Sequence, residues 1–286
     1  MRRELWRRGE PAVIVDRTQR EPAPGESSHQ LDLLQATRRQ MNGLLRRANA
    51  SVVINVAGLV SGSAAELERA NARLPARLVH LLAGEPVRLV HAGSAAEYGE
   101  TPRGGSVDEE ARAHPSTAYG RSKLAGTSAI VEAVSAGALD AVVLRIFNPL
   151  GPGMPSTTMP GRAAELIRQA LANDSPAVTM GPLDAWRDYI DLRDVVEALL
   201  AAAQAPSISH PILNVGTGIA HQSREVVDAM AAAAGWSGHV IEDARFVSDR
   251  SSAVSWQQAG VGRTAAALGW RARRTLGEAA VSVLAT

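Results

Sequence analysis

Ser94, Tyr119 and Lys123 have the residue types and spacing for acid–base chemistry at a carbonyl group. Tyr119 and Lys123 stand four positions apart in Tyr119-Gly120-Arg121-Ser122-Lys123, which opens a helical pattern. Positions i and i+4 share a helix face, so the phenol and the ammonium point the same way. A phenol ordinarily loses its proton near pH ~10, and a cation held beside it favours the phenolate. Ser94 lies about 25 residues upstream in Gly93-Ser94-Ala95-Ala96-Glu97-Tyr98-Gly99, after a mostly apolar run from Val87 to Val90 that reads as a buried strand. A hydroxyl at that strand end can hydrogen-bond a substrate carbonyl beside the phenol. The trio would exchange a proton with an oxygen whose carbon exchanges a hydride with a nicotinamide. Tyr and Lys at this spacing also recur on solvated helices. The strand-end serine in an alternating α/β pattern makes the catalytic reading the stronger one.

The elements that must hold these groups follow in chain order. Leu5 to Gly9 reads as a helix end stopped by glycine, and Ala12 to Asp16 as a buried strand ending in an acid. In a doubly wound fold, an acid at the end of such a strand receives the ribose hydroxyls of a cofactor adenosine. Arg17 next to it would instead accept a 2′-phosphate, which leaves NAD and NADP both open, and Asp16 as a simple loop cap is the alternative. Arg20 to Ser28 reads as a Pro/Gly/Ser-rich loop, and Thr37 to Ala48 as a helix burying Leu44 and Leu45. Ser51 to Gly58 is a largely apolar run typical of a central parallel strand, with Ala57 and Gly58 small enough for a cofactor to lie over its end. Ala64 to Leu82 is helical, with Pro75 expected to kink or split it. Ala118 to Ser135 is a second long helix, and Asp140 to Phe147 a further strand. Glu100 to Pro115 is a polar loop of the kind that contacts substrate.

From Pro155 onward the composition suits a smaller lobe. It holds a helix from Gly161 to Asn173, a short strand from Ala177 to Met180, and Arg187 in a loop. That guanidinium would grip a diphosphate bidentately, the alternative being an ion pair with Asp188 or Asp191. Asp191 to Ala203 is a helix returning to the main domain, Ile212 to Val215 a strand, and Ser223 to Ala234 a helix starting at serine. Gly262 to Leu268 and Thr275 to Leu284 are terminal helices. The expected fold is α/β, a Rossmann-like doubly wound parallel sheet over residues 1–154 with 190–220 returning to it, and a substrate lobe mainly over 155–286.

One expected stretch is missing. A dinucleotide fold opens with strand, Gly-rich turn and helix, because the glycines let backbone N–H groups approach the pyrophosphate at a helix N-terminus. Here Met1 to Arg8 already corresponds to the helix after that turn, so about 12 to 18 residues of the usual layout are absent. Either the recorded start lies downstream of the true one, or the chain lacks the first strand and phosphate loop and binds cofactor poorly or not at all. The strand would be interior, and its loss exposes two neighbouring edges. That cost favours the first reading, or a fold repaired by other means.

Bulk properties narrow the classes. The 286 residues suffice for one large α/β domain or a domain with a smaller lobe. A formal net charge of +1 leaves no electrostatic footprint for nucleic acid or a membrane surface. Short basic clusters at Arg2-Arg3, Arg7-Arg8 and Arg271 to Arg274 read as solvated faces. The absence of cysteine excludes disulfides, thiolate catalysis and Cys-based zinc sites, and fits a reducing cytoplasm. No apolar run approaches a membrane span of ~20 residues, and no signal-peptide pattern is visible.

The Ser/Tyr/Lys set resembles that of the extended short-chain dehydrogenase/reductase family, the nucleotide-sugar epimerases, dehydratases and reductases. Further stretches resemble it along nearly the whole chain: Arg145 to Gly153, Trp186 to Val196, and Asn214 to Gly218. Within the family these are most similar to GDP-4-keto-6-deoxymannose reductases. The resemblance implies NAD or NADP as cofactor, a nucleotide sugar as substrate, and a dimer made through a four-helix interface of Ala64–Leu82 and Ala118–Ser135. It places Leu31-Asp32-Leu33 beside the adenine, with a plain strand-end Asp32 the alternative. It makes Asn148 a substrate or diphosphate contact, against a simple turn cap before Pro149. Arg145 becomes a structural or cofactor-side residue, and Arg250 a second phosphate-gripping arginine. Dehydratases of the family carry an acid one or two positions after the Ser; here Ala95 and Ala96 stand there, which argues against dehydration. The expected activity is a 4-ketoreductase with Tyr119 as proton donor, Ser94 polarising the carbonyl, and Lys123 lowering the phenol pKa and binding the nicotinamide ribose. A 4-epimerase, a cofactor-free isomerase, cyclase or lyase using the same acid–base groups, and a non-catalytic dinucleotide sensor or scaffold stay as alternatives.

Overall fold

The computed structural model describes residues 1–18, 20–246 and 254–285. Helix α1 (Arg2–Arg7) ends before Gly9, whose φ of +67° turns the chain into strand β1 (Ala12–Asp16). Strand β2 (Glu26–Gln30) pairs with β1 in parallel. Helix α2 (Arg38–Ala48) starts at Thr37 in a reciprocal capping box with Gln40, which satisfies two otherwise unpaired N–H groups. It buries Met41, Leu44 and Leu45 and leads to β3 (Val52–Asn55). Helix α3 (Ala64–Glu68) runs through a π-helical turn (Arg69–Arg73) into α4 (Leu74–Leu82), with Pro75 in the first turn of α4. Proline has no N–H to give, so the chain is split where the ring falls, as expected. Strand β4 (Arg88–Ser94) ends in a 3₁₀ turn (Ala95–Glu97), and helix α5 (Ala118–Ser135) feeds β5 (Asp140–Ile146).

The second half opens with β6 (Pro149–Leu150), α6 (Met159–Ala172) and β7 (Ala177–Met180). Strands β8 (Trp186–Asp188) and β9 (Ile190–Asp191) follow, then α7 (Leu192–Gln204), capped by Asp191. Next come β10 (Ile212–Val215), β11 (Ala220–Gln222), α8 (Ser223–Ala234), β12 (His239–Glu242) and β13 (Trp256–Gln257). Helices α9 (Gly262–Leu268) and α10 (Leu276–Leu284) close the described chain.

The main sheet has the order β10-β5-β4-β3 with every pair parallel. Its strands are sandwiched. Leu89, Ala141 and Val143 face α2, α4 and α5, while Val90, Val142 and Leu144 face α7 and the Trp270 side. Burial on both faces explains why β4 reads as a continuous apolar run rather than an alternating one. A separate core lies among α6, α8, α10 and β7, built on Ile167, Met180, Val226, Met230 and Val283.

Three expectations change. Glu26 to Ser28 belongs to strand β2, not to a loop; its polar sequence hides a strand whose hydrogen bonds come from β1. The run ending at Asn55 is not a central strand. Among the described residues β3 pairs only with β4, β1 pairs only with β2, and the two form separate sheets. Among the described residues β1 and β3 therefore each keep one edge that pairs with no strand. Arg187 lies in strand β8, not in a loop.

Candidate active site

Ser94 ends β4 and caps the 3₁₀ turn after it. Its Oγ accepts a hydrogen bond from Ala96 N at 3.2 Å, while its own N–H donates to Glu97 Oε1 at 2.8 Å. Glu97 is fully buried, and its other oxygen receives Arg145 Nε at 2.8 Å. The Arg145 guanidinium also lies 4.4 Å over the Tyr98 ring, and Tyr98 Oη donates to Asn214 Oδ1 at 2.7 Å. Burial pushes the Tyr98 phenol up to about 12, so it stays protonated beneath the site. Burial opposes the charge on Arg145, but Glu97 and Tyr98 outweigh it and hold the guanidinium charged. Arg145 is thus structural, one of the two roles implied for it. Glu97, one position beyond Ala96, is turned inward, onto Arg145 and the Ser94 backbone.

The first turn of α5 lies against the Ser94 turn because Gly120 allows it. A Cβ at Gly120 would stand 2.4 Å from Ala96 O, so Tyr119 is carried on backbone packed directly onto that turn. Thr117 caps the helix through Gly120 N, which fixes where it begins. One turn on, buried Lys123 donates from Nζ to Ala92 O at 2.6 Å, two residues before Ser94. Burial pulls its pKa down, and the nearby charge of Glu97 works against that pull. Tyr119 is half-buried in the first turn of α5. The three expected residues therefore come from one strand end and one helix start.

Sequence reading missed Asn71. It sits buried in the π-helical turn and binds both backbone groups of Leu59, accepting from N at 2.9 Å and donating to O at 2.8 Å. It also donates to Ser122 Oγ at 3.1 Å, between Tyr119 and Lys123 on α5. One amide thus ties the loop after β3 to α5. The signal was readable: Asn71 falls four residues after Leu67 on the apolar stripe of the helix, where a polar residue needs buried partners. A π-turn here is also a common mark of functional sites.

In the second lobe, Arg187 is buried, and burial pulls its pKa down. Its guanidinium donates to Trp186 O at 2.8 Å and to Val254 O. No carboxylate pairs with it among the described residues; the expected alternative partners Asp188 and Asp191 are engaged elsewhere. Asp188 accepts from Thr217, Gly218 and Ala259, and Asp191 caps α7 and binds Arg193. A guanidinium has five N–H donors, so donors remain beyond the bonds to Trp186 O and Val254 O. Asn148 donates from Nδ2 to Asp188 O at 3.1 Å, tying the turn after β5 to β8. Arg250 lies outside the described residues.

The residues expected at the two ends of a dinucleotide can be placed in the fold. Asp16 stands at the end of β1, where its carboxylate holds Thr18 N–H and Arg20 Nε rather than Arg17. Arg17 is exposed beside it. Asp32 caps the turn at Leu34 N, and Leu33 packs toward the α2/α4 core. At the end of β3, Ala57 and Gly58 are exposed within a run, Val56 to Val60, that presents apolar side chains to solvent. A contiguous apolar surface of this kind suits a covering ligand. These groups and Lys123 fit an adenosine and a nicotinamide riboside. A pyrophosphate cradle has no counterpart among the described residues: α1 begins at Arg2, with Met1 as an uncapped N-cap.

Comparison with known proteins agrees with this geometry. The family model described as "NAD dependent epimerase/dehydratase family" matches residues 1–216. The chain is 37% identical over 263 residues to dTDP-6-deoxy-L-talose 4-dehydrogenase (NAD(P)(+)) of Kitasatospora kifunensis, covering 91% of this chain and 82% of that protein. It is 28% identical over 141 residues to GDP-6-deoxy-D-mannose reductase of Pseudomonas aeruginosa, covering 48% of this chain and 45% of that protein. The fold superposes on the structure of MoeE5 in complex with UDP-glucuronic acid and NAD with a TM-score of 0.81 at 27% identity, over 99% of this chain and 92% of the other. A parallel α/β sheet, a strand-end serine, a Tyr/Lys helix packed onto it and a family match over three quarters of the length converge: the chain belongs to the NAD dependent epimerase/dehydratase family.

Proposed function

We propose that this protein is an NAD(P)-dependent 4-ketoreductase of a nucleotide-linked 6-deoxysugar, working in either direction as the redox balance dictates. The observation that carries the reading is the set of groups around Ser94. Ala95 and Ala96 offer no acid, and the carboxylate of the turn itself, Glu97, is held by Arg145 and the Ser94 backbone. Proton transfer at a carbonyl oxygen is then available, but removal of a carbon-bound proton followed by loss of water lacks its base. Similarity to a dTDP-6-deoxysugar 4-dehydrogenase supports the same position on the sugar.

In this reading Asp16, Arg17, Asp32 and Leu33 hold the adenosine end of the cofactor, and Ala57, Gly58 and Lys123 the nicotinamide end. The cofactor supplies the hydride when bound. Ser94 donates a hydrogen bond from its hydroxyl to the C4 carbonyl oxygen and keeps its proton, and Tyr119 delivers the one proton as alkoxide charge develops there. Lys123, released from Ala92 O, stabilises the phenolate that results. Arg187 holds the diphosphate with Asn148 beside it, and Arg250 is proposed as a second grip.

The test has two arms. Calorimetric titration with NADH and NADPH should give micromolar affinity for at least one; no binding at millimolar concentration would remove the reductase and leave the cofactor-free acid–base enzyme. With a 4-keto-6-deoxyhexose nucleotide as substrate, Tyr119→Phe should lower kcat by about 10²–10⁴. Turnover close to wild type would exclude the phenol as proton donor.

A further inference from the structure

Residues 254–260 form a seam between the two halves of the site. On one side they bind the segment that follows Ser94. Ser255 N donates to Glu100 Oε2 at 2.8 Å, Thr101 Oγ1 to Trp256 O at 2.7 Å, Trp256 Nε1 to Gly105 O at 2.8 Å, and Val107 N to Gln258 O at 2.8 Å. On the other side they bind the strand that carries Arg187. Trp186 N donates to Ser255 O at 2.9 Å, Ala259 N donates to Asp188 Oδ2 at 3.1 Å, and Arg187 reaches Val254 O. Strand β13 lies parallel to β8 with Gln257 beside Arg187 and Trp256 beside Trp186. Residues paired this way project from one face. The two indoles accordingly stack on one side, with centroids 5.5 Å apart, and Gln257 shares the other side with Arg187.

Gln257 is 4% exposed, and its Nε2 donates to Ala95 O at 2.9 Å. Ala95 follows Ser94, and its carbonyl also accepts Tyr98 N at 3.1 Å, the bond that closes the 3₁₀ turn. One amide therefore connects the register position of Arg187 to the turn whose shape aims the Ser94 hydroxyl.

We propose that Gln257 is a positioning residue that holds the Ser94 turn at a set distance from Arg187, so that a sugar anchored by its diphosphate presents its carbonyl to Ser94. The proposal rests on the reductase reading for its kinetic readout. The physical reason is leverage. The substrate is gripped in one lobe and protonated from the other, and a displacement of about 1 Å between grip and donor costs on the order of 10² in rate. Gln257 touches neither cofactor nor reacting atoms and acts through Ser94.

Gln257→Met keeps the volume and removes the donor. It should lower kcat about tenfold or more while the KM for the nucleotide sugar and the Kd for NAD(P)H change less than about threefold. In a Ser94→Ala background the same substitution should have less than a twofold further effect, because the hydroxyl it aims is gone. An unchanged kcat in the single variant, or a full additive loss in the double variant, would overturn the proposal. If Gln257→Met is too unstable to assay, wild-type protein decides. Added dTDP, GDP or UDP, which carries the diphosphate and no sugar, should slow amide exchange across residues 94–99; binding without slowing there overturns the coupling. Wild-type protein that turns over no 4-keto sugar nucleotide would sink the reductase reading alone, since the exchange experiment needs no turnover.

Discussion

Charge held out of water is concentrated at the end of β4. Glu97, Arg145 and Lys123 are all buried there, and beside them His91 is fully enclosed. Asn55 gives its side-chain oxygen to Ala57 N and its amide N–H to His91 Nδ1 at 2.9 Å, which assigns the imidazole proton to Nε2. Burial, helped by the Lys123 charge, pulls the His91 pKa from 6.5 down to about 3. Below pH ~6.5 the unfolded chain takes up this proton and the folded chain does not, so stability present at neutral pH is lost as pH falls toward 3. At about 1.4 kcal/mol per pH unit, this one imidazole should cost wild type about 2 kcal/mol between pH 6.5 and 5. Urea midpoints at both pH values should show His91→Gln losing less stability than wild type by about that amount; equal losses would mean the group is not kept neutral. At this scale the Ser94, Tyr119 and Lys123 set was legible because spacing alone puts residues on a helix face or a strand end. The Ser94-x-x-Glu97 spacing of a capping box was equally visible. That Glu97 would meet Arg145 was not, because their contact crosses from one strand to its neighbour.

The helices around the site meet backbone to backbone. A Cβ at Gly126, on α5, would stand 2.2 Å from Asn71 O and 3.0 Å from Pro75 Cγ. In a free helix Gly→Ala gains about 1 kcal/mol, whereas overpacking costs about 1–3 kcal/mol and a backbone carbonyl yields less than a side chain. Gly126→Ala should therefore destabilise the protein in urea unfolding by about 1–2 kcal/mol, and lower turnover by shifting Asn71 from Leu59 and Ser122. A stabilised variant would show that the π-turn gives way freely. Elements with strong local signals were read nearly to the residue: α5 was expected at Ala118–Ser135 and spans those residues, and Thr37 starts α2. Elements made by pairing were not. Strand β2 has the polar sequence Glu-Ser-Ser-His-Gln, and β8, β11 and β13 are two or three residues each. Their hydrogen bonds come from distant segments, so no local periodicity announces them.

Across the molecule, the parallel sheet falls into two parts. β4 is buried at all positions but one, whereas every residue of β1 is only partly buried. Two strands are a marginal sheet by themselves, and among the described residues β1 and β3 each keep one unpaired edge. Native-state hydrogen exchange should find amides of β1 and β2 opening at lower free energy than those of β4 and β5. Because Asp16 and Asp32 lie at this weaker end, bound NAD(P)H should slow exchange over 12–16 and 26–30. Protection there equal to β4 without ligand would contradict the split, and no change on saturation would contradict the cofactor's placement.

The order of residues was enough to nominate Ser94, Tyr119 and Lys123 as the proposed acid–base trio, and to give the alternating α/β class and the absence of a Gly-rich turn in residues 1–16. Each is a local matter of residue type, spacing or periodicity. Only the folded chain decided that Glu97 is engaged, that Asn71 joins the loop after β3 to α5, that Arg187 sits in a strand without a carboxylate partner, and that Gln257 reaches Ala95. Those facts depend on contacts between residues from 48 to 162 positions apart. Burial and hydrogen bonding at such separations are set by how the strands pack, which local sequence does not encode.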